Sequence, residues 1–191
     1  VTLLLPFENP QKDSWNVLIV GLGNREVTPD ALGPKVIDNL YVTRHIIREF
    51  GKYAFGDEKI CRLSAIAPGV MAQTGMECVE ILKGIVEQTS PDVVLTVDAL
   101  AARSTKRLGR TIQLTNTGIT PGSGVGNHRN ALNQETLGVP VVSIGVPTVV
   151  DAATIVVDAL SEHMEEMPEE LLSPKLYGMY VTPKNIDDSI K

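Results

Sequence analysis

The stretch Val17-Leu18-Ile19-Val20-Gly21-Leu22-Gly23, followed by Thr28-Pro29-Asp30, decides the fold of this chain. Its apolar, β-branched start predicts a buried central strand, and the glycines at its end predict a turn. A helix is expected to start at Thr28, because threonine is a good N-cap, proline is tolerated at the first helical position and an acid suits the first turn. Asp30 therefore follows the carboxyl end of a predicted strand.

A second apolar run, Val93 to Val97, ends at Asp98. Between the two runs, the sequence predicts a strand at Ile60 to Ile66 and a helix from about Gln73 to Gln88. Strands and helices that alternate at this spacing are typical of a parallel sheet. We therefore predict a three-layer α/β fold, with a mostly parallel twisted sheet and helices on both faces. In such a sheet, both aspartates lie at the carboxyl edge, where ligands normally bind.

The remaining elements are less regular. The apolar face of the first helix is expected to continue to Phe50, before Gly51. Further predicted elements are short strands at Thr111 to Leu114 and Val139 to Val146, and a helix from Asp151 to about Met164.

Length and charge limit the kind of protein. At 191 residues and 43% hydrophobic content, residues 1–191 are expected to form one domain. The net charge of −6 gives no electrostatic reason to bind nucleic acid or an anionic membrane. No apolar stretch approaches the roughly 20 residues that span a bilayer, and no secretion signal is recognisable, so we expect a cytoplasmic protein. Because the chain starts at Val1, we expect an upstream segment to have been removed or left out.

Several common chemistries fit poorly. Glu26 occupies the third glycine position of a dinucleotide-binding fingerprint, and no phosphate-binding P-loop is present. Cys61 and Cys78 lie in no metal-binding pattern and are expected to be reduced and buried. His45 and His163 fall on predicted helices away from the sheet edge, which argues against a serine or cysteine mechanism.

Two carboxylates can hydrolyse an amide without a covalent step. An ionised carboxylate takes a proton from water, while its neighbour, held protonated by repulsion, donates to the carbonyl oxygen or leaving amine. Asp30 and Asp98 are the candidate pair. The alternative is that Asp30 binds free N–H groups at a helix start and that Asp98 caps a strand.

Two nearby segments are candidates for substrate binding. Arg103 and Arg107 follow Asp98 and are suited to holding an acidic peptide side chain, although a solvated basic turn has the same composition. The glycine-rich loop after Thr115 is either a connector or a backbone wall beside the site. Its candidate residues are Gly122, Ser123, Gly124 and His128. His128 either contacts substrate or a metal, or has a role in the loop without catalysis.

Five blocks of the sequence resemble the signature blocks of the spore germination protease family. They are spread in order over most of the stretch from Val17 to Asp151. The blocks are Gly21–Asn24, Val27–Pro34, Val97–Ser104, Gly118-Ile119 with Pro121–Asn127, and Ile144–Ala152.

The resemblance implies an atypical aspartic endopeptidase that degrades small acid-soluble spore proteins during germination, in the cytoplasm of the forespore or spore core. It implies that Asp30 and Asp98 are the functional aspartates, and that neither a metal nor another cofactor is needed. Family members are made as inactive precursors with an amino-terminal propeptide and assemble as homotetramers. They cut after glutamate, for which Arg103 or Arg107 would be a physically sensible partner.

The resemblance leaves two alternatives. The family fold resembles that of hydrogenase-maturation peptidases, in which equivalent acids and a histidine hold a metal, so a metal-dependent peptidase would use Asp30, Asp98 and His128. A non-enzymatic sporulation protein of the same fold is the other alternative. The chain also begins closer to its first strand than family members do, and some segments are expected to be absent.

Overall fold

A computed structural model describes residues 14–56, 60–123, 129–152, 154–155 and 158–159. The chain divides into two compact units. The first contains Val1–Ala99 and Ile112–Val146, and the second contains Leu100–Thr111 and Pro147–Lys191. The single domain expected from the chain length stays a prediction.

A five-stranded sheet organises the fold, with strand order β2-β1-β3-β5-β4. Strand β1 pairs in parallel with β2 on one side and with β3 on the other, whereas β4 is antiparallel to β5. The sheet is therefore mixed and mostly parallel. The strands are β1 (Asn16–Gly21), β2 (Arg62–Ile66), β3 (Val93–Ala102), β4 (Gln113–Thr115) and β5 (Val141–Val150).

Five α-helices are complete within the described ranges, and three short 3-10 turns accompany them. The helices are α1 (Leu32–Asp38), α2 (Arg44–Phe50), α3 (Met71–Thr74), α4 (Cys78–Thr89) and α5 (Gln134–Leu137). The 3-10 turns are Thr28–Asp30, Lys52–Phe55 and Thr105–Arg107. Among the described residues, no helix has the length and hydropathy needed to cross a membrane.

Helices α1 and α4 cover opposite faces of the sheet. Leu18 and Val20 of β1 belong to the same buried apolar cluster as Leu82 of α4. A side chain at Gly21, which faces the other way, would meet Gly33 and Ile37 of α1. Because successive strand residues point to opposite faces, the two helices lie on different sides. This arrangement confirms the predicted three-layer α/β class.

The predicted first helix is broken, and Thr43 gives the physical reason. Instead of one helix to Phe50, the chain forms the 3-10 turn, α1 and α2. Between the helices, the Thr43 hydroxyl donates to the Cys61 carbonyl oxygen at 2.5 Å and accepts from the Leu63 N–H at 2.9 Å. These bonds tie the linker to β2. The expected N-cap at Thr28 is also wrong, because Val27 holds that position without a side-chain cap.

Other element boundaries differ from the sequence prediction. The second predicted helix is divided into α3 and α4 by Gly75, which has a left-handed backbone. Strand β3 continues past Asp98 to Ala102, so Asp98 is not at a strand end. Cys61 is exposed and Cys78 is half-buried, which corrects the expectation that both thiols are buried. Helical residues at 152, 154, 155, 158 and 159 agree with the start of the last predicted helix, whose remainder lies outside the described residues.

Candidate active site at the carboxyl edge of the sheet

Asp98 lies where β1 stops covering β3. The last paired residues are Gly21 and Val97, and the Leu22 N–H donates to the Val97 carbonyl oxygen at 2.8 Å. Asp98 is the next residue of β3, and its side chain shares a face with Val94, which belongs to the core beneath α4. Only 6% of the surface of Asp98 is exposed to solvent. Asp98 is thus a buried acid at the edge of the sheet.

The surroundings of Asp98 favour its protonated form. Burial raises the pKa of this carboxyl to about 7, the N–H of Ala99 opposes the rise by donating a hydrogen bond, and the charge of Asp30 adds to it. The hydrogen bond from Ala99 to Oδ1 measures 2.9 Å. Near neutral pH, both protonation states of Asp98 are therefore populated, which suits an acid or base in catalysis.

Asp30 reaches the same edge from the turn before α1. Its Oδ2 accepts a hydrogen bond from the Asn24 N–H at 2.6 Å, and its side chain is half-buried. Gly23 makes this turn possible, since its φ is +111° and a Cβ there would lie 2.0 Å from the Asp30 carbonyl oxygen. Asp30 thus lies near enough to Asp98 for its charge to act on the buried carboxyl.

A second glycine fixes α1 to the strand ends. A Cβ on Gly33 would lie 2.4 Å from the Leu22 nitrogen and 2.6 Å from the Val97 carbonyl oxygen. Only glycine permits this approach. The start of α1, and with it Asp30, is therefore held against the ends of β1 and β3.

Asn24 joins the loops that follow β1 and β2. Its side-chain oxygen accepts from the Glu26 N–H at 3.0 Å and from Gln73 Nε2 in α3 at 3.2 Å. Its own N–H is the donor to Asp30. Asn24 and Gln73 are positioning residues that the sequence analysis did not identify, because nothing local indicates a contact across 49 positions.

Cys78 and Arg129 were also missed. Burial is the main cause that raises the pKa of the Cys78 thiol, followed by the charge of Asp98, and the positive charge of Arg129 opposes the rise. Cys78 begins α4, the helix on the face toward which Asp98 points. The isolated thiol and the arginine after the glycine-rich loop gave no sequence signal for this placement.

The predicted substrate-binding residues have different positions. Arg103 and Arg107 are exposed and belong to the second unit, whereas Asp30 and Asp98 belong to the first. Gly122 lies in a turn with φ +73°, and Ser123 is exposed, with its N–H donating to the Thr120 carbonyl oxygen at 3.2 Å. Gly124 and His128 lie outside the described residues. The role of all six in substrate binding stays a prediction.

Metal-binding groups do not assemble in the part of the chain that the structure describes. No three histidine, cysteine, aspartate or glutamate side chains lie there in an arrangement that could hold a metal ion. Asp30 and Asp98 alone are too few ligands for a closed site. His128, the third group of the metal-dependent alternative, is outside the described residues.

A mostly parallel sheet with two interacting aspartates defines an α/β protein whose candidate acid–base site lies at the carboxyl edge. The family model for the germination protease matches residues 4–170. The chain belongs to the germination protease family, which confirms the resemblance.

Curated relatives agree with this membership. A germination protease of Caldanaerobacter subterraneus is 50% identical over an alignment 206 positions long, gaps included, which covers 95% of this chain and 63% of that protein. One from Clostridium perfringens is 46% identical, covering 91% of this chain and 61% of its own length. The chain thus spans about three fifths of the length of these relatives. A solved nickel–iron hydrogenase maturation protease from Thermococcus kodakarensis aligns with a TM-score of 0.43 and 19% identity, covering 87% of this chain and 97% of its own.

Proposed function

We propose that this chain hydrolyses peptide bonds as an aspartic endopeptidase and that its substrates are small acid-soluble spore proteins degraded during germination. Membership of the germination protease family supports the peptidase class. The observation that carries the proposed mechanism is the buried Asp98, with a pKa raised to about 7, within range of the Asp30 charge.

The two aspartates have different surroundings, which suggests different roles. Asp98 is buried and readily keeps its proton, so it acts as the general acid toward the substrate carbonyl oxygen. Asp30 is half-buried and acts as the general base, taking a proton from water as the water oxygen attacks the carbonyl carbon. When the C–N bond breaks, Asp30 passes its proton to the leaving amine, and a hydroxyl group of the gem-diol intermediate returns a proton to Asp98 as the carbonyl double bond re-forms. General acid–base catalysis of this kind contributes about 10²- to 10⁴-fold for each group.

The remaining features of the proposed enzyme follow the family resemblance. Substrate binding involves six residues, which are Arg103, Arg107, Gly122, Ser123, Gly124 and His128. The mature protein assembles as a homotetramer from an inactive precursor in the forespore. Sedimentation velocity of the purified protein tests the assembly, and precursor processing during sporulation tests the activation.

Incubation with a purified small acid-soluble spore protein tests the activity. We expect discrete fragments with the parent chain, and a loss of at least about 100-fold in the initial rate for Asp98→Asn and for Asp30→Asn. Asp38→Asn is the matched control, because Asp38 is exposed and pairs with Arg25 instead. Near-parental cleavage by either site variant would contradict the aspartate mechanism.

A chelator separates the proposed mechanism from its metal-dependent alternative. Activity that persists in EDTA supports the aspartate pair, whereas loss restored by a divalent metal supports a site with Asp30, Asp98 and His128. Binding of the spore protein without any cleavage would support the non-enzymatic alternative.

A further inference from the structure

We propose that Arg129 is a specificity-determining residue that binds a substrate carboxylate beside the scissile peptide bond. This inference rests on the proposed peptidase function and adds a particular residue to it. The substrate class that the site would prefer is a peptide with an acidic side chain close to the bond that is cut.

The neighbouring residue, Asn130, places Arg129 at the start of α4. The Glu77 Oε2 atom accepts from the Asn130 side-chain amide at 2.7 Å and from the Asn130 N–H at 3.3 Å. Glu77 is the N-cap of α4, and Cys78 is the first residue of that helix. The segment that carries Arg129 is thereby fixed at the end of α4 that is nearest to Asp98.

Charge effects agree with this placement. Burial is the main cause of the raised pKa of the Cys78 thiol; the charge of Asp98 adds to the rise, and the charge of Arg129 opposes it. Cys78, the first residue of α4, is therefore close enough to both the arginine and the buried acid for their charges to act on it. An arginine near this end of α4 is suited to recognise a substrate side chain next to the reacting peptide group.

Among the described residues, Arg129 has no acidic partner. It is half-buried, and it forms no hydrogen bond or salt bridge with any residue that the structure describes. The nearby Glu77 carboxylate is already engaged by Asn130 and by the first turn of α4. A planar guanidinium with unused donors binds carboxylates in a two-point geometry, which lysine cannot reproduce. It would also offset the repulsion between an acidic substrate and the two aspartates.

Matched peptides test the proposal without requiring cleavage. The probes are labelled decapeptides of alanine and serine with one central glutamate, glutamine or lysine, whose binding to the full chain is measured by fluorescence anisotropy. We expect the parent to prefer the glutamate peptide by about 10- to 100-fold, the range that a charge-assisted hydrogen bond provides. Arg129→Gln should remove this preference, Arg129→Lys should keep part of it, and Arg129→Glu should favour the lysine peptide.

Two controls make the result specific. Lys83→Gln removes an exposed cation from α4 and should leave the glutamate preference unchanged. Arg103→Gln with Arg107→Gln tests the alternative from the sequence. Retained preference in Arg129→Gln, or loss of preference only in the double variant, would overturn the proposal. Circular dichroism of Arg129→Lys and Arg129→Glu checks that altered binding is not unfolding.

Cleavage of the spore protein distinguishes this proposal from the proposed function. If the parent cuts nothing but binds the glutamate peptide selectively, and Arg129→Gln loses that selectivity, the peptidase function fails and the role of Arg129 in carboxylate binding stands. If the parent cuts the protein and Arg129→Gln cuts the same sites at the same rate, the role of Arg129 fails while the peptidase function stands.

Discussion

Replacing Asp98 with asparagine should change the stability of the protein relative to the parent, and this difference should become more favourable to the variant as the pH rises. Asparagine keeps the shape of the side chain and the oxygen that accepts from the Ala99 N–H, but it has no proton to lose. In the parent, ionising Asp98 leaves a charge in a site that is only 6% exposed. The substitution therefore removes the cost of that buried charge.

The size of the effect follows from the pKa of Asp98. Its pKa rises from 3.8 to about 7 on folding, so the folded state holds this proton more tightly than the unfolded state. The contribution of protonated Asp98 to the free energy of unfolding is fully present below about pH 4 and is lost as the pH rises through about 7. Over the whole pH range, this shift lowers the free energy of unfolding of the parent by about 4 kcal/mol, of which about 2.5 kcal/mol is lost between about pH 5 and pH 8.

Thermal unfolding followed by circular dichroism at several pH values measures this difference. The melting temperature of Asp98→Asn relative to the parent should rise by about 5–10 °C between about pH 5 and pH 8, given about 2–4 °C per kcal/mol for a chain of this size. Glu87→Gln removes an exposed carboxyl from α4 and should follow the parent curve. Parallel curves for Asp98→Asn and the parent across this range would refute the buried, protonated acid.

The other predictions test the elements that position the site. Asp30→Asn should lower the pKa of Asp98, because the charge of Asp30 contributes to the rise, and carbon NMR of the Asp98 carboxyl checks the direction. Gly23→Ala should reduce cleavage of the spore protein at least 10-fold, since its Cβ would collide with Asp30, and an unchanged rate would contradict the role of this turn. Thr43→Val should cost about 1–3 kcal/mol in urea unfolding, because it leaves a carbonyl and an N–H group of the β2 segment without their partner. Leu82→Ala should cost about 2–5 kcal/mol in the same assay, since Leu82 is fully buried between α4 and the sheet.

The amino-acid sequence by itself determined the layers of the fold and the two aspartates of the candidate site. Apolar runs such as Val17 to Val20 and Val93 to Val97 predict buried strands from local composition, and β1 and β3 lie there. Once those strands are parallel, an acid after each run falls at one edge of the sheet. This inference needs only the order of the elements, so Asp30 and Asp98 were identifiable without coordinates.

Only the tertiary structure decided which other groups surround that edge and how they change its chemistry. Thr43 breaks the first helix through hydrogen bonds to β2, and Gln73 reaches Asn24 across 49 positions. Cys78 and Arg129 approach the site because α4 and the Asn130 segment meet there. The raised pKa of Asp98 likewise depends on burial and on a charge 68 positions away. Such contacts between distant parts of the chain leave no periodic pattern, since packing rather than local propensity creates them.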